Sequence, residues 1–233
     1  MNFESFLNAS RLNERAAGLV TDRIAEKPDL LLCAATGSSP EGLYREMVRF
    51  HGRDSEMFRR LRVIKLDEWL DLPPDSPDSC EKYLQNRLIG PLGMTPGRYI
   101  SFSAQPADPE KEAGRIRALL RRQGPIDLCI LGLGRNGHLG LNEPGPALQP
   151  ECHVALLSRE TRQHPMVAGL ENPPGRGLTL GMRDILNSRQ ILLIVSGGRK
   201  EEALGTLRSG RITTSCPATF LWLHPRVHCL VME

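Results

Sequence analysis

Five apolar runs of strand length recur along the chain, at 30–35, 61–66, 126–131, 190–195 and 227–231. Between them, at 9–26, 39–50, 79–89, 109–123 and 198–208, apolar residues return every three or four positions among Arg, Lys and Glu, the spacing of amphipathic helices. Strands that are apolar throughout are covered on both faces, and their exchange with helices predicts an α/β fold. The expected architecture is a mostly parallel central sheet with helices on both faces. The proline-rich pieces at 71–77 and 172–176 are short enough to be loops, and no internal repeat is present. The chain is read as a single α/β domain over 1–233.

Composition narrows the function classes. Hydrophobic residues make up 40% and charged residues 24%, which suits a packed globule rather than a disordered chain. The formal net charge is only +3 and the basic residues are scattered among acids, so no nucleic-acid partner is expected. The opening Met-Asn-Phe-Glu-Ser-Phe-Leu is neither a signal peptide nor a span, so the expected location is cytoplasmic, with no membrane partner. Cys33, Cys129 and Cys229 sit inside apolar runs and no C-x-x-C pair occurs, which reads as reduced core cysteine. His224 and His228 are four apart, but Pro225 and the strand-like Val-His-Cys-Leu-Val break a helical ligand pair, so no metal site is expected.

In open α/β sheets ligands bind beyond the carboxyl ends of the strands, which directs attention to the residues after each run. After the first run comes Thr36-Gly37-Ser38-Ser39-Pro40, where Ser39 is expected to cap a helix beginning at Pro40 and leave amides free for an anion. The second run leads into Lys65-Leu66-Asp67-Glu68-Trp69. Neighbours on an extended chain face opposite sides, so one of the two acids is expected to reach the site, where desolvation would suit it to general-base chemistry.

The third run delivers Gly132-Leu-Gly134-Arg135-Asn136-Gly137-His138. Its glycines match a dinucleotide-binding pattern formally, but Gly140 and Pro144 leave little room for the helix that pattern requires. The better reading is a tight backbone around a small ligand, with Gly134, Arg135 and Gly137 among the binding residues and His138 and Glu143 projecting into one crevice as an acid/base unit. After the fourth run, Ser196-Gly-Gly-Arg199-Lys200 places Lys200 where it meets a phosphate.

These pieces resemble the glucosamine-6-phosphate deaminase/6-phosphogluconolactonase superfamily, and within it the bacterial galactosamine-6-phosphate deaminase/isomerases. The resemblance is carried by Ala35-Thr-Gly-Ser-Ser-Pro40, by 63–73 with its Lys-Leu-Asp-Glu-Trp, by 127–145 and by Ala218-Thr-Phe-Leu-Trp-Leu-His224. It implies a Rossmann-like fold of the deaminase type and a cofactor-independent isomerisation and deamination of galactosamine 6-phosphate to tagatose 6-phosphate and ammonia. In that scheme Asp67 moves a proton between C2 and C1, His138 assists ring opening, Glu143 orients His138, and 37–39 with Lys200 hold the 6-phosphate. Alternatives are the glucosamine epimer giving fructose 6-phosphate, a lactonase, and a non-catalytic sugar-phosphate sensor. Asn142-Glu143-Pro144 speaks against the lactonase, whose pattern lacks it.

Two departures stand out. Asn136 replaces an aspartate found before the Gly-His pair in many glucosamine enzymes, keeping hydrogen bonding without charge. Val167 stands where those enzymes place an arginine, with Arg199 a candidate for the missing contact. Oligomerisation is left open.

Overall fold

The computed structural model describes residues 1–73 and 76–233. The chain opens with β1 (Asn2–Phe6), α1 (Ala9–Glu26), β2 (Leu31–Ala34) and α2 (Ser38–Arg53). It continues through β3 (Arg62–Lys65), β4 (Asp67–Trp69), α3 (Cys80–Leu84), β5 (Tyr99–Ile100) and α4 (Pro109–Gln123). Then follow β6 (Leu128–Gly132), β7 (His153–Leu156), β8 (Arg176–Thr179), α5 (Met182–Leu186), β9 (Ile191–Val195), α6 (Glu201–Arg208) and β10 (Val227–Met232). The stretch 71–77 expected as a loop includes residues 74 and 75, which lie outside the described residues.

Among the described residues, the main sheet runs β1-β10-β9-β6-β2-β3-β5 with every pair parallel. The expected fold class is what forms. Alternate residues of each inner strand enter opposite cores: Leu32 and Ala34 pack with Leu12, Val20, Leu43 and Met47 of α1 and α2. Leu31 and Cys33 pack with Ala113, Ile116, Met182 and Leu207 of α4, α5 and α6. Helices therefore cover both faces, and the apolar run without alternation is the sequence trace of that double burial.

Caps fix two of the helices where the sequence places them. Asn8 accepts from the Ser10 and Arg11 amides at the start of α1, and Asp108 accepts from Glu110 and Lys111 ahead of Pro109 in α4. The element expected at 79–89 is instead the short α3 continuing into a wider π-type turn over Gln85–Ile89. The helix expected from 198 begins at Glu201, because Gly197 (φ 86°) and Arg199 (φ 65°) turn the chain left-handed first.

One departure matters for function. The run at 61–66 does not continue in the main sheet: after Leu66, whose amide still bonds to the Ala34 carbonyl, the chain changes partners. Asp67 pairs with Thr179 in a separate three-stranded antiparallel sheet, β4-β8-β7. That sheet stands at the carboxyl end of the main one. The six cysteines are all free and buried. His224 is a core residue, its Nε2 2.7 Å from the Ser188 carbonyl and its Nδ1 accepting from the Arg226 amide.

Candidate active site

The order of the main sheet reverses between β2 and β6, since the chain builds outward to β3 and β5 on one side and to β9 and β10 on the other. A crevice at such a switch point is where open α/β sheets bind ligands. Here it is a cavity of about 410 Å³ lined by the loops after β2, β6 and β9, by β4, and by the 160–166 segment.

The first wall is the turn into α2. Gly37 adopts φ 95°, a conformation that excludes a side chain at low cost, and the helix starts at Ser38 without any side-chain cap. The expected cap at Ser39 does not form. The chain enters the helix two residues earlier, at Ser38 instead of Pro40, which releases the Ser39 hydroxyl to accept a 2.9 Å hydrogen bond from Lys200 Nζ. Thr36, Gly37, Ser38, Ser39 and Lys200 all line the cavity, and Tyr83 clamps the turn through a 2.6 Å bond from its hydroxyl to the Gly37 carbonyl. Burial, then the nearby Arg135 charge, lowers Lys200 to about 8. An uncapped helix start beside a partly desolvated lysine is a site for an anion.

The second wall is β4, and it separates the two acids. Asp67 lines the cavity, whereas Glu68 is fully buried on the opposite side, 2.6 Å from Lys65 and accepting from the Trp69, Cys80 and Glu81 amides. Lys65 is itself fully buried and also bonds to Glu81 at 2.9 Å and to the Phe102 carbonyl at 3.0 Å. Asp67 has no such support: Oδ1 is buried without a partner. Burial, reinforced by the Glu68 charge and opposed by Lys65 and Cys80, pushes its carboxyl up to about 7.

The third wall is the glycine loop. Gly134 gives way to His138: a methyl group on it would meet the imidazole at 2.5–2.6 Å. Gly137 ties the loop down, donating to the Gly134 carbonyl and accepting from the Ala218 amide. Gly134, Arg135 and His138 line the cavity, but Asn136, Gly137 and Glu143 do not, so the expectations that Gly137 binds the ligand and that Glu143 projects into the crevice are corrected. Glu143 stands behind the histidine, 3.8 Å from His138 Nδ1, and binds the Asn136 amide at 2.9 Å and the Ser158 amide at 3.3 Å. Asn136 Oδ1 in turn accepts from the His138 backbone amide. The direct partner of His138 Nδ1 is the Thr161 hydroxyl, at 3.1 Å. Burial lowers the proton affinity of His138, with Glu143 working against it.

Several lining residues escape sequence reasoning. Thr161, His164 and Met166 come from a loop between two strands of the small sheet, which no apolar run announces. Arg199 does not line the cavity; it borders a separate hollow with Glu202 and Ser215. Val167 is fully buried beside Trp69 and Leu141. Among the described residues no group of three or more His, Cys, Asp or Glu is placed to hold a metal ion. None of the described helices is long and apolar enough to cross a membrane.

The family model for glucosamine-6-phosphate isomerases/6-phosphogluconolactonase matches residues 7–229. The chain belongs to that family. It is 42% identical over 96% of its length, and 89% of the other chain, to AgaI of Escherichia coli (strain K12), to which a deaminase activity has been ascribed. It is 37% identical over 94% of its length, and 92% of the relative, to glucosamine-6-phosphate deaminase 1 of Bacillus subtilis (strain 168). A solved monomeric glucosamine-6-phosphate deaminase superposes with TM-score 0.93 at 35% identity, covering 100% of this chain and 98% of its own. The 6-phosphogluconolactonase of Trypanosoma brucei superposes at 0.80 with 19% identity, over 99% and 95%, a likeness of fold. Within the family the chain is an enzyme of the deaminase kind.

Proposed function

We propose that this enzyme isomerises and deaminates galactosamine 6-phosphate, giving tagatose 6-phosphate and ammonia in the cytoplasm. The observation that carries the reaction is a buried carboxylate, Asp67, held near neutral proton affinity in the same cavity as an anion cradle. The phosphate anchors at Gly37–Ser39 and Lys200, which fixes the far end of the opened sugar and presents C1 and C2 to Asp67. Asp67 removes the C2 proton to form an enolamine and returns it at C1 to form a ketimine. Water then adds to the ketimine carbon and ammonia leaves. His138, held by Thr161 and backed by Glu143 through Asn136, carries the proton exchange of ring opening. Every step is a proton transfer or a hydration, so the scheme calls on no cofactor.

The galactosamine assignment rests on Trp69 and on Val167 in place of an arginine, which resemble that branch. Deamination of glucosamine 6-phosphate is the second reading, favoured by the 0.93 superposition on a glucosamine-6-phosphate deaminase. Comparing kcat/KM for the two C4 epimers decides it: a ratio well above one for galactosamine supports the first reading, and one well below reverses it.

The titrations set a pH profile. Asp67 must be ionised to take the C2 proton, so kcat/KM is expected to fall about tenfold per unit below pH 7 as the carboxyl protonates. Lys200 must be charged to hold the phosphate, so kcat/KM falls again above about pH 8. A narrow bell between these limbs is the expected outcome of steady-state measurements from pH 5.5 to 9.5. A profile flat through pH 6–7 contradicts the role given to Asp67.

A further inference from the structure

We propose that His164 is an anion-binding residue of this site, its neutral imidazole donating the Nε2–H hydrogen bond to the phosphate end of the substrate at the Gly37 turn. This rests on the reading of that turn as the phosphate cradle. The first support is position. His164 Nε2 overhangs the turn: a methyl group placed on Gly37 would lie 3.5 Å from it, and the imidazole shares the cavity with Lys200 and Ser39.

The second support is the tautomer. The Met166 backbone amide lies 3.3 Å from His164 Nδ1 and can only donate, so Nδ1 is the acceptor and the single proton of the neutral ring sits on Nε2. The polar hydrogen therefore faces the cradle. The ring is also held in that orientation, packed against Trp69 with centroids 5.9 Å apart and planes at 43°, while its backbone amide bonds to the Thr161 carbonyl at 3.0 Å.

Electrostatics favour a neutral donor over a second cation. Burial, then the proximity of His138, Lys200 and Arg135, lowers His164 to about 4, so near neutral pH the ring is uncharged. Lys200 supplies the charge that neutralises a phosphate, and His164 supplies a directed donor without adding to the repulsion among the cations. The same short turn carries Thr161, whose hydroxyl meets His138 Nδ1. Gripping the anion and setting the acid/base histidine are thus tasks of residues three apart in the chain.

The test uses the full-length protein and inorganic phosphate as the probe. Imidazole proton–nitrogen spectra of the wild type are recorded during a phosphate titration, and phosphate affinity is measured for His164→Phe and Lys200→Ala. The phenyl ring keeps the packing on Trp69 and removes the donor. The expected result is a downfield shift of the His164 Nε2–H signal and phosphate binding about tenfold weaker in His164→Phe, the loss typical of one hydrogen bond to a charged group. In turnover the same variant is expected to raise KM far more than it lowers kcat. If phosphate binds His164→Phe as tightly as wild type while Lys200→Ala loses it, the cradle stands and His164 has no part in it. If Lys200→Ala also binds normally, or the wild type binds no phosphate, the cradle reading fails and the proposal with it. Should His164→Phe not fold, the wild-type spectrum decides: an Nε2–H signal unmoved by saturating phosphate overturns the proposal.

Discussion

Replacing Asp67 by Asn is expected to lower kcat for ammonia release by roughly 10²–10⁴-fold, the range for loss of a positioned acid/base group, with KM little changed. The amide is nearly the same size as the carboxyl, so the cavity and the phosphate anchor persist while the proton carrier is gone. A second consequence distinguishes this residue from an ordinary structural acid. Its proton affinity is raised on folding, from an ordinary value of 3.8 to about 7, so in the wild type native stability declines as pH rises between those values. Asp67→Asn carries no such cost. Its unfolding midpoint is therefore expected to exceed that of wild type at pH 8 and to converge with it below pH 4, a stability gained where activity is lost. Full activity in the variant would mean that Asp67 does not carry the proton, and a lower midpoint at pH 8 would mean that it holds the fold together.

Lys65→Met carries the largest expected effect on stability. The lysine lies fully buried between Glu68 and Glu81, and removing it strands Glu68, also fully buried, without its counterion. Breaking a buried pair from one side costs about 3–5 kcal/mol, which urea denaturation resolves as a clear drop in midpoint. Neutralising the stranded acid as well, in Lys65→Met/Glu68→Gln, is expected to recover a large part of the loss, because the fully buried acid is then uncharged and only the part-exposed Glu81 loses its counterion. The pair also reaches the site. Lys65 holds the proton affinity of Asp67 down and Glu68 pushes it up, so the single variant is expected to shift the acid limb of kcat/KM to higher pH. An unfolding free energy within about 1 kcal/mol of wild type would show that the pair is not the support described.

Much of the frame is legible in the sequence because double burial leaves an unmistakable trace. Leu-Leu-Leu-Cys-Ala-Ala, Leu-Cys-Ile-Leu and Ile-Leu-Leu-Ile-Val are of strand length and alternate with helical patterns, which reads as strands covered on both sides, and the loops that follow them meet at the switch point. The edges are less legible: β1 reads Asn-Phe-Glu-Ser-Phe and β5 is two residues long, so neither forms an apolar run. Asp67 illustrates a different limit. The alternation of an extended chain separates it from Glu68, but nothing in 61–69 marks the change of partner from the main sheet to the small one that carries Asp67 to the cavity.

The histidine unit was readable in composition and not in arrangement. His138 and Glu143 are five residues apart, and only the tertiary structure reveals that Asn136 and Ser158 hold the glutamate while Thr161 meets the imidazole. Thr161 and His164 lie in the 157–175 connection of the small sheet, where polar residues look like ordinary loop. Their role depends on contacts across more than twenty positions of chain in one case and more than a hundred in the other, to His138 and to Gly37. Helical and strand periodicity carries no information about such contacts.

The central claim is that the cavity at the switch point deaminates an amino-sugar phosphate through Asp67. It is tested most directly by incubating wild type and Asp67→Asn with galactosamine 6-phosphate, glucosamine 6-phosphate and 6-phosphogluconolactone, and measuring ammonia, ketose phosphate and lactone hydrolysis together. The predicted result is ammonia and ketose 6-phosphate in equal amounts from an amino-sugar phosphate with the wild type, almost none with the variant, and no lactone hydrolysis. Lactone hydrolysis without ammonia from either amino sugar would contradict it.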